Sequence, residues 1–422
     1  MKIFLSLFVF IAVSYPQNKF EDFFLNKTLR IDYFHSGNFE TEYYSLDELI
    51  EEPFWGGSKV NLLDRFDYGK YKLIVYDSAS NEVIYSRTYS SLFSEWQTTV
   101  ETKSNSRTFT ETMVIPYPIK NVRVEFFSRD RNNEFIKKFE IAINPQDYFI
   151  KRERAMEFSS FQVFNSGESS NKIDIVFLPD GYTEVEMIKF KEDCRKFVGY
   201  FFQHSPFKEN ADKFNFWGVE APSDESGTDF PSKGIWTKTK FSTNFSTFGT
   251  ERYLMTTDNK TVRHAASNVP YDQIYILVNT KEYGGGAIYN YFSVCMSDNR
   301  FENEVFIHEF GHGFTSLADE YVTDDVSYQN FYNLNVEPTD PNLTTLVNFS
   351  TKWKNLVEDD TPVPTPETED FKNKVGAFEG GGYVQKGIYR PTFNCIMRAL
   401  NAKEFCPVCK KAIQEMIDFY SE

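Results

Sequence analysis

Two of the five histidines in this 422-residue chain fall within His308-Glu309-Phe310-Gly311-His312. On an α-helix, residues four apart lie on one face, so both imidazoles can reach a single metal ion, while Glu309, about 100° round the axis, stands beside a water on that ion. HExxH in this setting is the working arrangement of zinc-dependent hydrolysis. Zn2+ lowers the pKa of its water to near 7 and polarises a scissile carbonyl, and a carboxylate takes the water's proton and returns it to the leaving amine. A catalytic zinc takes three protein ligands, so a third must follow the histidines. Asp319 and Glu320, in Ser316-Leu317-Ala318-Asp319-Glu320-Tyr321, are the two candidates.

The spacing predicts a helix from Glu302 to Leu317, because Phe306, Phe310, Phe314 and Leu317 recur at three- and four-residue steps and make a stripe to bury. A chance match on an ordinary core helix would leave two imidazoles beside that stripe with nothing to compensate them. Asp319 follows His312 by seven residues, which on a straight helix is the same face but about 10 Å further along. The helix must therefore end near Thr315 to Ala318 for the chain to fold back, whichever acid is the ligand.

Downstream stand Gly376-Ala377-Phe378-Glu379-Gly380-Gly381-Gly382-Tyr383, then Tyr389 to Arg398 with Cys395-Ile396-Met397, then Phe405-Cys406-Pro407-Val408-Cys409. Together with His308 to His312 and Ala318-Asp319-Glu320-Tyr321, these resemble the M64 family of zinc peptidases, named after an immunoglobulin A peptidase. The resemblance extends over about residues 20 to 422 and includes Ile175 to Thr183 and Ser94-Glu95-Trp96-Gln97-Thr98-Thr99. It implies His308, His312 and Asp319 as zinc ligands, favouring Asp319 over Glu320, with Glu309 as general base. It also implies Met397 as the Met-turn residue beneath the metal. Thr315 stands where metzincins carry a glycine three residues after the second histidine, and Ala399 where some carry a tyrosine after the Met-turn. The resemblance therefore assigns no oxyanion stabiliser.

Lys2, the apolar run Ile3 to Val13 and the small residues Ala12 and Ser14 read as a signal peptide cleaved near Ser14. That run is too short to span a membrane. An exported protein follows, periplasmic, cell-surface or extracellular. A net charge of −16 argues against nucleic acid and anionic lipid as partners and reads as solubility; the expected partner, a protein or peptide substrate, follows from the zinc-peptidase resemblance. With only five cysteines the chain is no disulfide scaffold. Cys406-Pro407-Val408-Cys409 would be half of a Cys₄ zinc site, but no second CxxC pair exists, so a bridge from Cys395 to Cys406 or Cys409 is expected instead. Asp224, Glu225 and Asp229 lack calcium-loop spacing and read as a solvated loop.

Short β-branched and aromatic runs fill the first half: Leu29 to Phe34, Tyr71 to Tyr76, Val83 to Ser86, Thr98 to Thr102, Phe109 to Ile115, Val122 to Phe127 and Phe135 to Ile143. After Asn144-Pro145 strands alternate with helices: Ile173 to Leu178, a helix opened by a Thr183/Glu186 capping box, Phe214 to Val219 and Gln273 to Val278. Tyr283 to Tyr289, with three glycines, reads equally as an edge strand able to pair with extended substrate or as a flexible turn.

The expected molecule is multidomain: signal peptide 1–14, an N-terminal all-β sandwich over 15–150, and an α/β zincin-type, metzincin-like catalytic domain over 151–422. The β half carries no catalytic constellation, so a fragment starting near Lys151 is expected to keep the metal site. Its expected function is a secreted zinc endopeptidase. The competing readings are a zinc hydrolase of another amide or glycopeptide, and a surface binding protein with structural zinc. Glu309 speaks against the last, because a closed structural site needs no base.

Overall fold

The computed structural model describes residues 19–153, 156–322 and 332–422, so the expected signal peptide lies outside the described residues. A one-turn helix, α1 (Phe20–Phe23), leads into strands β1 (Phe24–Gly37), β2 (Glu42–Glu52), β3 (Tyr71–Asp77), β4 (Val83–Tyr89), β5 (Arg107–Pro118), β6 (Val122–Arg129) and β7 (Phe135–Ile143). They form two antiparallel sheets, ordered β2-β1-β5 and β4-β3-β6-β7. Alternate side chains of β3 point inward, as the pleat requires. Leu29, Ile31 and Ile115 from one sheet and Leu73, Val75, Val124 and Phe126 from the other share one buried cluster.

Two expectations fail here for local reasons. Thr98 to Thr102 is not a strand; it caps helix α2 (Leu92–Gln97) and continues as a turn of 3₁₀ helix over Val100–Lys103. The hydroxyls of Thr98 and Thr102 donate to the carbonyls of Glu95 at 2.6 Å and Thr99 at 2.8 Å, a local alternative that competes with a ladder. β2 was not expected because Glu42, Asp47, Glu48, Glu51 and Glu52 hide its strand character, yet charge suits a sheet edge.

The second half holds β8 (Ser160–Phe164), β9 (Ile173–Asp180), α3 (Met187–Phe201), β10 (Phe214–Val219), α4 (Asn259–Ala266), β11 (Gln273–Val278), β12 (Gly285–Ile288), β13 (Phe292–Met296), α5 (Glu302–Thr315), β14 (Phe378–Gly381), β15 (Val384–Arg390) and α6 (Pro407–Ser421). Thr183 and Glu186 do form a capping box, over a single 3₁₀ turn that precedes α3. The central sheet runs β12-β13-β11-β9-β10-β8, with the inner four strands parallel and both edge strands antiparallel. Every residue of β9 and β11 is buried, as befits strands covered on both faces. Ile173, Ile175 and Phe177 pack with α3, α5 and α6, while Val176 and Leu178 face the α4 side.

The two halves are joined by a dry, heavily bonded contact. Leu92, Phe93, Trp96 and Phe109 belong to the same cluster as Val176, Phe241 and Val262. Arg30, fully buried, pairs with Asp32 at 2.9 Å and Glu52 at 3.2 Å and reaches the His264 ring at 3.2 Å. Tyr271 donates to Glu52 at 3.0 Å, and the Arg87 guanidinium lies 4.6 Å from the Phe419 ring centre. Removing the first half would leave the Tyr271 hydroxyl and the His264 ring without these partners and uncover the apolar side chains packed beside them. The expectation of an independent fragment is therefore revised. A chain beginning at Lys151 is expected to aggregate, exposing Val176, Phe241 and their neighbours, and light scattering after chromatography checks this. A monodisperse, soluble fragment would contradict it.

Candidate metal centre

The apolar stripe of α5 is buried as its spacing requires, with Phe306, Phe310 and Phe314 at most 1% exposed. His308 and His312 leave the adjoining face toward a cleft of about 2020 Å³. Helix α5 stops where the ligand argument needs it to stop. Ser316 adopts the left-handed region (φ 54°), and its N–H closes the last turn onto the His312 carbonyl at 3.0 Å. Beyond it, Asn342 grips both sides of Ala318, accepting from its N–H and donating to its carbonyl at 2.8 Å each.

The returning chain sets Asp319 Oδ1 3.0 Å from His308 Nε2 and 3.4 Å from His312 Nε2. The two Nε2 atoms are themselves 3.0 Å apart. Each ring's other nitrogen is engaged by a main-chain carbonyl: His308 Nδ1 with Ile396 at 3.0 Å and His312 Nδ1 with Leu317 at 2.5 Å. Those carbonyls accept an N–H from Nδ1, which fixes the tautomer and leaves both Nε2 lone pairs converging. Asp319 Oδ1 is buried, and the two imidazoles are the groups that face it. Two ring nitrogens and a buried carboxylate oxygen thus lie in one place, an N, N, O donor set that could hold a zinc ion.

Without a metal, the imidazoles supply that positive charge. Burial alone would depress His312, but Asp319 against its ring outweighs this and pushes it up to about 9. Burial would likewise raise Asp319, yet His312 and His308 hold it well below the usual carboxylate range.

Glu309 sits against the edge strand. A Cβ at residue 285 would meet Val305 Cγ1 at 2.7 Å and Glu309 Oε1 at 3.1 Å, so Gly285 provides the room that this carboxylate occupies. Burial raises the Glu309 carboxyl, against the opposing pull of His308 and His312. Gly311 has a matching role underneath, where a Cβ would lie 2.9 Å from Met397 Sδ. Met397 is fully buried there.

A sequence profile described as IgA Peptidase M64 matches residues 161–373 and 367–417, and a second, Peptidase M64 N-terminus, matches 19–140. The chain belongs to peptidase family M64. No curated protein matches it.

In this M64 peptidase the cleft also contains groups that the sequence did not single out. The Tyr383 hydroxyl makes a short hydrogen bond to Asp319 Oδ2, and the Gly382 N–H donates to the Asp319 carbonyl at 2.7 Å. Both belong to the Gly380-Gly381-Gly382-Tyr383 turn between β14 and β15, whose glycine run was visible but whose reach to Asp319 was not. Arg252 donates to the Tyr321 hydroxyl at 3.1 Å on the cleft wall. The N-terminal half also lines this cleft, through Lys70 and Arg131 in connections beside β3 and β6 and through Glu95 of α2.

β12 does lie at the sheet edge, but half of its outer ladder is already used. Gly285 donates to Arg252 at 3.2 Å and accepts from Leu254 at 3.1 Å, so with a two-residue period Ala287 is the remaining outward position. The carboxylates of Glu225 and Asp229 accept main-chain N–H groups of Lys238 and Thr237 rather than converging on one point.

The expected disulfide is not formed. All five cysteines are buried thiols, and Cys395 and Cys409 sulfurs stand 3.8 Å apart. Glu320, the other ligand candidate, points away from the imidazoles and contacts Cys409 Sγ at 3.3 Å.

Proposed function

We propose that this M64 peptidase is an exported, zinc-dependent endopeptidase in which His308, His312 and Asp319 hold the ion and Glu309 is the general base. The observation that carries the proposal is the convergence of two Nε2 atoms and a buried Asp319 oxygen beside a carboxylate, all opening on one cleft. A bound zinc would supply an activated water and a polarised carbonyl. Glu309 then takes a proton from water at its carboxylate and delivers it to the leaving nitrogen; a carboxyl raised by burial is suited to both halves of that exchange. The Ile396 and Leu317 carbonyls and Tyr383 keep the ligands oriented. An extended peptide would run along β12, adding its own N–H and C=O to Ala287. The N-terminal β region, read as a sandwich, supports substrate as part of the cleft lining rather than acting as a separable accessory.

Chelation tests the reading directly. Metal-free protein is expected to lose hydrolysis of an unfolded protein substrate and to regain it on adding Zn2+. Full activity with no bound metal, verified by elemental analysis, would overturn it.

A further inference from the structure

On the far side of the same chain segment, a second group of ligand-type side chains converges. Glu320 and the thiols of Cys395, Cys406 and Cys409 each present one donor atom, all within 4.8 Å of one another. Their burial is near complete, with exposures of 0%, 0%, 4% and 0%. Glu320 Oε1 accepts from Asn342 at 3.0 Å, but Oε2 is buried with no hydrogen-bond partner at all. A dry carboxylate with an orphaned oxygen among three thiols is costly unless a cation shares the space.

Main-chain N–H groups already point at two of the three sulfurs. Cys406 N–H donates to Cys395 Sγ at 3.2 Å, and Cys409 N–H donates to Cys406 Sγ at 3.4 Å. Cys406 is the N-cap of α6, where helix N–H groups favour a thiolate.

We propose that Cys395, Cys406, Cys409 and Glu320 form a second metal site, a closed structural Zn2+ centre with three sulfurs and one carboxylate oxygen. With Zn–S of about 2.3 Å and Zn–O of about 2.0 Å, a tetrahedral ion sets S···S at about 3.8 Å and S···O at about 3.5 Å. The Cys395 Sγ–Cys409 Sγ and Cys409 Sγ–Glu320 Oε1 separations are 3.8 Å and 3.3 Å. A disulfide would use two of the thiols and leave the third, with Glu320 Oε2, unpartnered; one cation satisfies all four groups. Thiol protons leave as the metal enters. Glu320 and Cys406 also line a cavity of about 990 Å³, which gives an ion a way in.

This site stands back to back with the hydrolytic one and does not depend on it. Its ligands are neighbours of that centre's parts: Glu320 follows Asp319, and Cys395 precedes Ile396, which holds His308, and Met397, whose carbonyl accepts from Glu320 N–H at 2.8 Å. Zinc here would tie α6, the Met397 turn and the Asp319 segment together, as the anchor of the neighbouring centre.

Metal content of the full chain separates the two sites. The wild-type protein is expected to bind two zinc ions per chain, and the His308→Ala/His312→Ala variant one. After exchange to Co2+, both proteins should show sulfur-to-cobalt charge-transfer absorption in the near ultraviolet, since the histidine site holds no sulfur. Cys406→Ser/Cys409→Ser should lose that band; because this variant risks misfolding, the wild-type and double-histidine spectra carry the test by themselves. The proposal is overturned by one zinc in the wild type and none in the histidine variant, by the absence of the thiolate band, or by a Cys395–Cys409 disulfide in unreduced purified protein.

Discussion

Glu309→Gln is expected to lower peptide hydrolysis by about two orders of magnitude or more while leaving fold and zinc content unchanged. The substitution keeps the volume that Gly285 makes available, where a Cβ would come within 3.1 Å of Oε1, so the side chain has no reason to move. What it removes is the capacity to accept a proton. The metal ligands are untouched, because Nδ1 of each histidine remains on its carbonyl and Asp319 remains between the two Nε2 atoms. Steady-state rates on an unfolded protein substrate, with zinc measured on the same preparation, decide it. Wild-type turnover by zinc-loaded Glu309→Gln would show that the proton is handled elsewhere and that the hydrolytic reading is wrong.

Asp319→Ala is expected to empty the hydrolytic centre and reduce activity to background. Among the described residues, Asp319 is the carboxylate within ion-pair distance of both imidazoles, and its loss leaves them without that anionic partner. The effect should exceed the roughly 10- to 100-fold loss that follows removal of a group that merely orients a ligand. Glu320→Ala should not release the zinc held by His308 and His312, since its side chain lies against Cys409 and Asn342. Zinc analysis of both variants on the His308/His312 centre distinguishes them. Retention of the sulfur-free metal at His308/His312 in Asp319→Ala, with its loss in Glu320→Ala, would reverse the assignment.

The neighbouring sites differ from the familiar metzincin spacing by one residue. In HExxHxxGxxH the glycine falls three residues and the third ligand six residues after the second histidine. Here Ser316, four residues on, makes the left-handed turn, and Asp319 is seven residues on. Thr315 is still the last helical residue, so a side chain is tolerated where a glycine would otherwise turn the chain. Both shifts are the same single residue, so Asp319 stands three residues after the turn, as the third histidine of that motif does after its glycine.

Local rules reached as far as the sequence could carry them. The period of Phe306, Phe310 and Phe314 determined a helix, its buried face and the common direction of His308 and His312, because helical geometry relates residues only a few positions apart. The unbroken apolar runs Ile173 to Leu178 and Gln273 to Val278 determined buried strands for the same reason. The choice between Asp319 and Glu320 was not local. Adjacent side chains after the Ser316 turn point to opposite sides, and which side meets the imidazoles depends on Asn342 gripping Ala318 and on the Met397 carbonyl receiving Glu320 N–H. Likewise the cysteines offered one CxxC pair and no second. The fourth donor is a carboxylate 75 residues before Cys395, brought beside it only when the helix end, the Met397 turn and α6 pack together. Spacing along a chain records contacts within an element, and tertiary packing alone decides which distant elements share a site.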